Sequence, residues 1–134
     1  MKNARVGAAA AEMVSDDSMV IAGGIHPHFV SGQEGKLRAS AVVVEGDAKV
    51  CIVSGDILMM ERDILDQVCR AIEADCGIPF GNILITATHT HHAPTTVTIH
   101  GYARDETFCQ GVQEAILTAV HRADARLADV EMYF

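Results

Sequence analysis

The chain has 134 residues, of which 49% are hydrophobic, 21% charged and 4% aromatic, a composition that excludes a disordered or fibrous protein. This length predicts one globular domain over residues 1–134. Eighteen acidic residues against ten basic ones leave a net charge of −8, which is the wrong sign for neutralising phosphates and argues against a nucleic-acid partner.

The N-terminal part of the chain combines a strand-like start with a glycine bend. Residues 6–10 are small and apolar, and Gly23-Gly24 marks a loop in which the backbone bends freely. The start does not have the apolar core of a signal peptide, and no apolar run reaches the roughly 18 residues of a membrane span. The sequence therefore predicts no transmembrane segment and a cytoplasmic location.

A β-hairpin is predicted next. Residues 39–44 and 49–54 are two runs rich in β-branched side chains, and a short turn that contains Gly46 and Asp47 joins them.

A helix and a strand follow the hairpin. Apolar residues recur every three or four positions between Glu61 and Cys76, which predicts an amphipathic helix that Gly77 and Pro79 end. Residues 83–88 form a short continuous apolar run, the pattern of a strand covered on both faces. Because a helix separates this run from the strand at 50–55, we expect the two strands to lie parallel.

The C-terminal part predicts a second helix over residues 106–127 and a last strand that includes positions 130, 132 and 134. The apolar side of that helix comprises Phe108, Val112, Ile116, Val120 and Ala123. The order of elements predicts an α/β fold, with a mixed sheet that contains a β-hairpin and helical crossovers, and with helices packed on the sheet.

The four cysteines are Cys51, Cys69, Cys76 and Cys109, and none has the close spacing of a zinc knuckle or a redox motif. Their apolar neighbours favour buried thiols that act as small hydrophobic residues. No disulfide framework is predicted.

Three histidines follow the strand at 83–88, at the edge of an α/β sheet where ligands gather. In an extended backbone, His89 and His91 point to one side while Thr90 and His92 face the other way. Neutral imidazole suits zinc, so such a pair can hold a zinc ion. A catalytic zinc usually takes three protein ligands, so a hydrogen-bonded histidine cluster without metal stays open as the alternative.

Other polar residues are candidates for the same edge. Asp56 ends the strand at 50–55, and it could either accept the ring N–H of a ligating histidine or cap the next segment. His26 and His28 lie after the glycine bend, where a loop could approach this edge, although an ordinary surface loop is favoured. His100 and His121 are expected on the surface.

Several short segments follow one another in the order found in a known protein family. They lie at residues 6–9, 22–24, 37–44, 53–58, 77–79, 82–85 and 87–91. The most specific is Thr88-His89-Thr90-His91. Taken together, the segments resemble the N-terminal part of the neutral/alkaline non-lysosomal ceramidase family, which carries T-H-T-H-S-G-P at the histidine motif, and the likeness spans nearly the whole chain.

The resemblance implies a zinc-dependent amidohydrolase that cleaves the N-acyl bond of ceramide to a fatty acid and sphingosine. It implies that His89 is a zinc ligand and that His91 lies close to the zinc-bound water or the substrate oxygen. We therefore expect His89 and His91 at the metal, with His91 and Asp56 as the catalytic residues. Zinc would lower the pKa of its bound water toward about 7 and polarise the amide carbonyl.

The family's other zinc ligands, a second histidine, a glutamate and a tyrosine, come from farther along a much longer chain. The sequence thus resembles an opening segment, and we expect its site to be completed by a missing C-terminal segment or by another subunit. The predicted ligand is an acyl amide or a sphingolipid-like small molecule. The alternatives are a non-enzymatic α/β module that binds a metal or small ligand, and an interaction domain whose histidines are only hydrogen-bonded.

Overall fold

A computed structural model describes residues 4–131 of the chain. These residues form a five-stranded sheet and two α-helices. The elements are β1 (Ala4–Glu12), β2 (Arg38–Glu45), β3 (Lys49–Gly55), α1 (Arg62–Cys76), β4 (Ile83–Ala87), α2 (Glu106–Asp124) and β5 (Ala128–Val130), with a short 3₁₀ helix at Phe80–Asn82 before β4.

The sheet is mixed, with strand order β4-β3-β2-β1-β5. β2 and β3 form the predicted hairpin, and β1 pairs antiparallel with both β2 and β5. β4 lies parallel to β3 because α1 returns the chain in the same direction, as the sequence predicts. The α/β fold class is therefore confirmed.

The main core lies between one face of the sheet and the helices. Val43 and Val53 point from the sheet into this layer, and Phe108 and Ile116 meet them from α2. At Gly7 the helix backbone comes so close that a Cβ atom would lie 1.9 Å from the carbonyl oxygen of Ala123. A residue without a side chain is needed there, because any larger one would push α2 off the sheet.

The helix ends follow local chemistry. The carboxylate of Asp105 accepts a hydrogen bond from the backbone N–H of Phe108 at 2.8 Å, which caps the N-terminus of α2. α1 ends at Gly77, which has a left-handed φ of 64° and donates its N–H to the carbonyl of Glu73. None of the described helices is long and apolar enough to cross a membrane.

Two sequence predictions need correction. β4 is an edge strand and is not covered on both faces, since Leu84 is 55% exposed. A continuous apolar run cannot distinguish a central strand from an edge strand. The second helix ends at Asp124 rather than at Leu127, and positions 132 and 134 of the predicted last strand lie outside the described residues.

The cysteines agree with their prediction. All four are free; Cys51, Cys69 and Cys109 are buried and Cys76 is partly buried.

Candidate functional site

The candidate site lies where the chain leaves two neighbouring parallel strands. Gly55 at the end of β3 is paired with Ala87 at the end of β4. Beyond the strands the two segments stay in contact, because Thr88 donates its N–H to Gly55 at 2.9 Å and His89 donates its N–H to Ile57 at 3.1 Å. The histidines therefore begin at the carboxyl edge of the sheet, where α/β proteins place their ligands.

His89 is not in an extended backbone, so the predicted reason for convergence is wrong at this residue. Its φ is 62°, in the left-handed region that few non-glycine residues adopt. Residues that do adopt it are frequently found at functional sites. β4 has already ended at Ala87, and the chain turns at His89. The turn directs the His89 ring back toward the loop after β3, where it meets the carbonyl oxygen of Leu58.

The structure nevertheless brings His89 and His91 together. The two ring centroids are 5.2 Å apart and the ring planes lie at 84° to each other. Both side chains are exposed, so a ligand can reach them. Two imidazoles that share one zinc ion at about 2.0–2.1 Å have centroids at a similar spacing.

The hydrogen bond of the His89 ring determines which of its two nitrogens keeps a lone pair that can bind a metal ion. Its Nδ1 atom lies 2.8 Å from the carbonyl oxygen of Leu58. A carbonyl oxygen can only accept, so Nδ1 carries the proton and donates it, and Nε2 of the neutral ring keeps its lone pair. Metal-ligating histidines commonly donate their second nitrogen to a backbone carbonyl in this way.

Leu58 is anchored by a small second core, which we call the platform. Its side chain is 3% exposed. The platform comprises Ala22, Leu58 and Val97, with the partly buried Ile99 packed against them.

His91 is placed by the glycine bend. Gly23 has a φ of 88°, and a Cβ atom on it would lie 2.2 Å from Nδ1 of His91. The bend is held in place by backbone pairing, since Ala22 donates to Ala93 at 2.9 Å and Thr95 donates to Val20 at 2.9 Å. Gly23 therefore leaves the room that the His91 ring occupies.

Asp56 lies at the same edge and has a backbone partner. Its carboxylate accepts a hydrogen bond from the N–H of Arg38 at 3.0 Å, and its own N–H donates to the Arg38 carbonyl at 2.9 Å. These bonds tie the end of β3 to the start of β2. The described hydrogen bonds of Asp56 therefore go to β2, whereas the ring hydrogen bond of His89 goes to Leu58.

Among the described residues, no other histidine joins this pair in a group that could hold a metal ion. His92 lines a separate cavity of about 50 Å³. His26 and His28 are exposed, and their loop approaches this edge of the sheet at Gly23, where an added Cβ would lie 2.2 Å from Nδ1 of His91. His121 is exposed on α2 with its Nε2 3.1 Å from Asp75, as expected of a surface residue.

The residue types at the pair fit zinc, but the set of ligands is incomplete. Within residues 4–131, no group of three or more histidine, cysteine, aspartate or glutamate side chains is placed to hold a metal ion. A catalytic zinc usually takes three protein ligands and a water, so at least one more protein ligand is required.

A wide groove of the described structure lies away from the histidine pair. It has a volume of about 900 Å³ and runs between the end of β1 and α2, with Glu12, Arg38 and Glu114 among its lining residues. No histidine lines it. The groove therefore has no pair of imidazoles comparable with His89 and His91.

Sequence reasoning missed two contributors to the site. Leu58 acts through a backbone oxygen, which no pattern of side chains reveals. Gly23 was identified as a bend, but only the structure shows which ring lies against it.

Comparison with known proteins gives results for structure only. No protein-family model and no curated protein matches the sequence. The crystal structure of neutral ceramidase from Pseudomonas aeruginosa matches with a TM-score of 0.83 and 20% identity over 95% of this chain and 22% of that chain. A ceramidase structure complexed with C2 matches with a TM-score of 0.78 and 22% identity over the same shares of the two chains.

These matches confirm the resemblance at the level of the fold. The chain spans about a fifth of the length of the ceramidase structures that it matches. Its five-stranded sheet and two helices thus have the fold of a segment of neutral ceramidase.

Proposed function

We propose that this chain supplies the two-histidine part of a zinc-dependent amide hydrolase of the ceramidase type, acting on ceramide or a related acyl amide. One observation carries the proposal. His89 donates Nδ1–H to the Leu58 carbonyl, which leaves its Nε2 unprotonated, and the centroid of the His91 ring lies 5.2 Å from that of the His89 ring. The likeness of the fold to neutral ceramidase supports the choice of reaction.

The roles of the residues follow from their placement. His89 would hold zinc through Nε2, and His91 would complete a pair of imidazole ligands or contact the substrate oxygen. When bound, zinc polarises an amide carbonyl and makes water a better nucleophile. Asp56 holds the carboxyl end of β3 against β2, which keeps the strand ends beneath the histidines in place.

Within residues 4–131, no third histidine, cysteine, aspartate or glutamate joins this pair in a metal-binding group, whereas a catalytic zinc usually takes three protein ligands. We propose that a further polypeptide segment, in the same protein or in another subunit, supplies the remaining ligand. The neutral ceramidase that this chain matches is several times longer, which supports this arrangement.

Zinc binding tests the ligand assignment. We expect isothermal titration to show one zinc site in the unmodified chain, and His89→Ala to abolish it with little loss of stability, because the side chain is exposed. His121→Ala is the matched control, since this exposed histidine contacts only the surface residue Asp75 among the bonds described. Zinc uptake that survives His89→Ala would contradict the assignment.

Amide turnover separates the hydrolase from its rival, a metal-binding module without activity. The absence of a third ligand among residues 4–131 is the observation that favours the rival. Release of fatty acid from a short-chain ceramide, measured with zinc present and lost in His89→Ala and His91→Ala, would support the hydrolase. Because the proposed site needs a further segment to complete its ligands, the assay is run with that segment present, and stoichiometric zinc binding without turnover in that complete protein would favour the module.

A further inference from the structure

The bond that fixes the His89 ring depends on the loop after β3, residues 56–61. The acceptor is the carbonyl of Leu58, a residue that the platform buries. A shift of this carbonyl by about 1 Å would break the bond, because hydrogen bonds weaken steeply beyond their normal distance. Whatever holds this loop therefore also determines which nitrogen of His89 carries the proton.

One partly buried guanidinium holds the far end of the loop. The Arg104 side chain is 18% exposed and donates to Glu61 at 2.6 Å, to Asp63 at 3.0 Å and to Glu106 at 2.8 Å. Bonding to Asp63 and Glu106 raises the pKa of Arg104 above its usual value, and the bond from Arg104 lowers the pKa of Asp63. Such charge-assisted bonds are stronger than neutral ones.

The segment between β4 and α2 adds two more bonds to the same loop. The second oxygen of Glu61 accepts the N–H of Thr98 at 2.8 Å. Thr96 is fully buried and donates its hydroxyl to the carbonyl of Met59. The loop is thus fastened at Met59 and at Glu61, on the C-terminal side of Leu58, while the platform holds the Leu58 side chain.

We propose that Arg104 and Thr96 are positioning residues for His89. They fix the loop so that the Leu58 carbonyl keeps the proton on Nδ1 and His89 presents Nε2 outward. The proposal rests on the proposed function for what Nε2 binds, whereas the positioning itself stands on the hydrogen bonds. The hydrogen bonds of both residues go to the loop and those of the His89 ring go to Leu58, so both residues act through the loop.

A purely structural role for Arg104 makes a different prediction. Asp63 and Glu106 lie in the first turns of α1 and α2, so Arg104 could serve only to tether the two helix N-termini. In that case its loss would lower stability and leave the tautomer of His89 unchanged. The tautomer therefore distinguishes the two roles.

The experiment is two-bond ¹H–¹⁵N NMR of the histidine rings in the full chain, at roughly pH 8.5, where ordinary imidazoles are neutral. We expect the unmodified protein to carry the His89 proton on Nδ1. Arg104→Gln and Thr96→Val are both expected to give a mixture of the two tautomers at His89. Arg62→Gln is the control, because the Arg62 side chain is 80% exposed and its ion pair among residues 4–131 is with Asp66, one turn away.

Zinc titration gives a second readout. We expect the zinc dissociation constant to rise roughly 10-fold or more in Arg104→Gln and Thr96→Val, as for other losses of support behind a ligand, and to stay unchanged in Arg62→Gln. Circular dichroism establishes that each variant is folded. If Arg104→Gln fails to fold, the nearly isosteric Thr96→Val decides the matter.

The outcomes separate this proposal from the function on which it builds. Folded variants at positions 104 and 96 that keep the His89 proton on Nδ1 would overturn the positioning role. An unmodified protein that shows the expected tautomer but binds no zinc would instead overturn the proposed function and leave the positioning role intact.

Discussion

The main core and the platform are two packed regions of the same molecule, and different forces hold them. The core between the sheet and α2 is a broad apolar layer in which Phe108, Val112 and Ile116 are fully buried. The platform buries only three side chains, and its loops depend on bonds from Arg104 and Thr96. The core therefore determines the fold, and the platform determines how the histidines are presented.

This difference teaches that fold and site can be damaged separately. Apolar burial is not directional, so loss of packing in the core lowers stability without selecting one orientation of a ring. Hydrogen bonds are directional, so small changes near the platform alter the histidines at modest cost in stability. The following substitutions test this separation, in order of decreasing effect.

Phe108→Ala tests the core. It removes a side chain with no exposed surface from the first turn of α2, where it packs in the main core, so we expect the free energy of unfolding to fall by about 3–5 kcal/mol. Phe29→Ala is the control, because Phe29 is 59% exposed, and its loss should cost less than about 0.5 kcal/mol. Urea denaturation measures both, and equal effects would contradict the placement of the core.

Leu58→Ala tests the platform. We expect a loss of about 2 kcal/mol, at the low end for a buried leucine because the cluster is small, together with a change in the His89 ring signals. Leu84→Ala, at a position that is 55% exposed on β4, should leave both stability and ring signals nearly unchanged. A Leu58 variant with an unaltered His89 ring would contradict the link between them.

Gly23→Ala tests the contact between the glycine bend and the His91 ring. The left-handed φ of 88° makes alanine strained, and the new methyl group would collide with the ring, so we expect a cost of about 1–2 kcal/mol and a displaced His91. Gly32→Ala isolates the strain, since its φ is 78° and nothing lies within 4 Å of the added atom. Ring chemical shifts should move in the first variant only.

The smallest expected effect is a loss of stability at alkaline pH, which tests whether the thiols are buried. Burial raises the pKa of both Cys51 and Cys109 to about 11, above the value of an exposed thiol. The unfolded chain loses these protons first, so stability is full below about pH 8.5 and falls as the pH rises toward 11. At pH 9.5 the loss should be about 1 kcal/mol per thiol.

Cys51→Ala provides the comparison for that pH dependence. This variant is less stable at neutral pH because it leaves a small cavity, but its stability should fall less steeply between pH 9 and 11 than that of the unmodified protein. Identical slopes in the two proteins would show that Cys51 ionises in the folded state as it does in water.

The elements of the main core could be predicted from the sequence, because their side chains repeat with the period of the structure. The apolar spacing placed α1 to within one residue of its start at Arg62, and the two β-branched runs are β2 and β3. The edge position of β4 could not be predicted, since it depends on which strands are neighbours rather than on residues 83–87 alone.

The site could be predicted only in part. The motif indicated that His89 and His91 belong together, and the rings do lie side by side. The reason was different, because a left-handed turn replaces the extended backbone. Leu58 lies 31 positions from His89, and Arg104 lies 43 positions from Glu61. The hydrogen bond from His89 also ends on a backbone oxygen. No local sequence pattern therefore predicts this support.

X-ray absorption spectroscopy of the zinc-loaded chain tests the central claim most directly, because it counts the histidines in the zinc shell. We predict two imidazole nitrogens at about 2.0–2.1 Å in the unmodified protein, and one or none in His89→Ala. A shell dominated by sulfur at about 2.3 Å, or one that is identical in the two proteins, would contradict the assignment of His89 and His91 as a ligand pair.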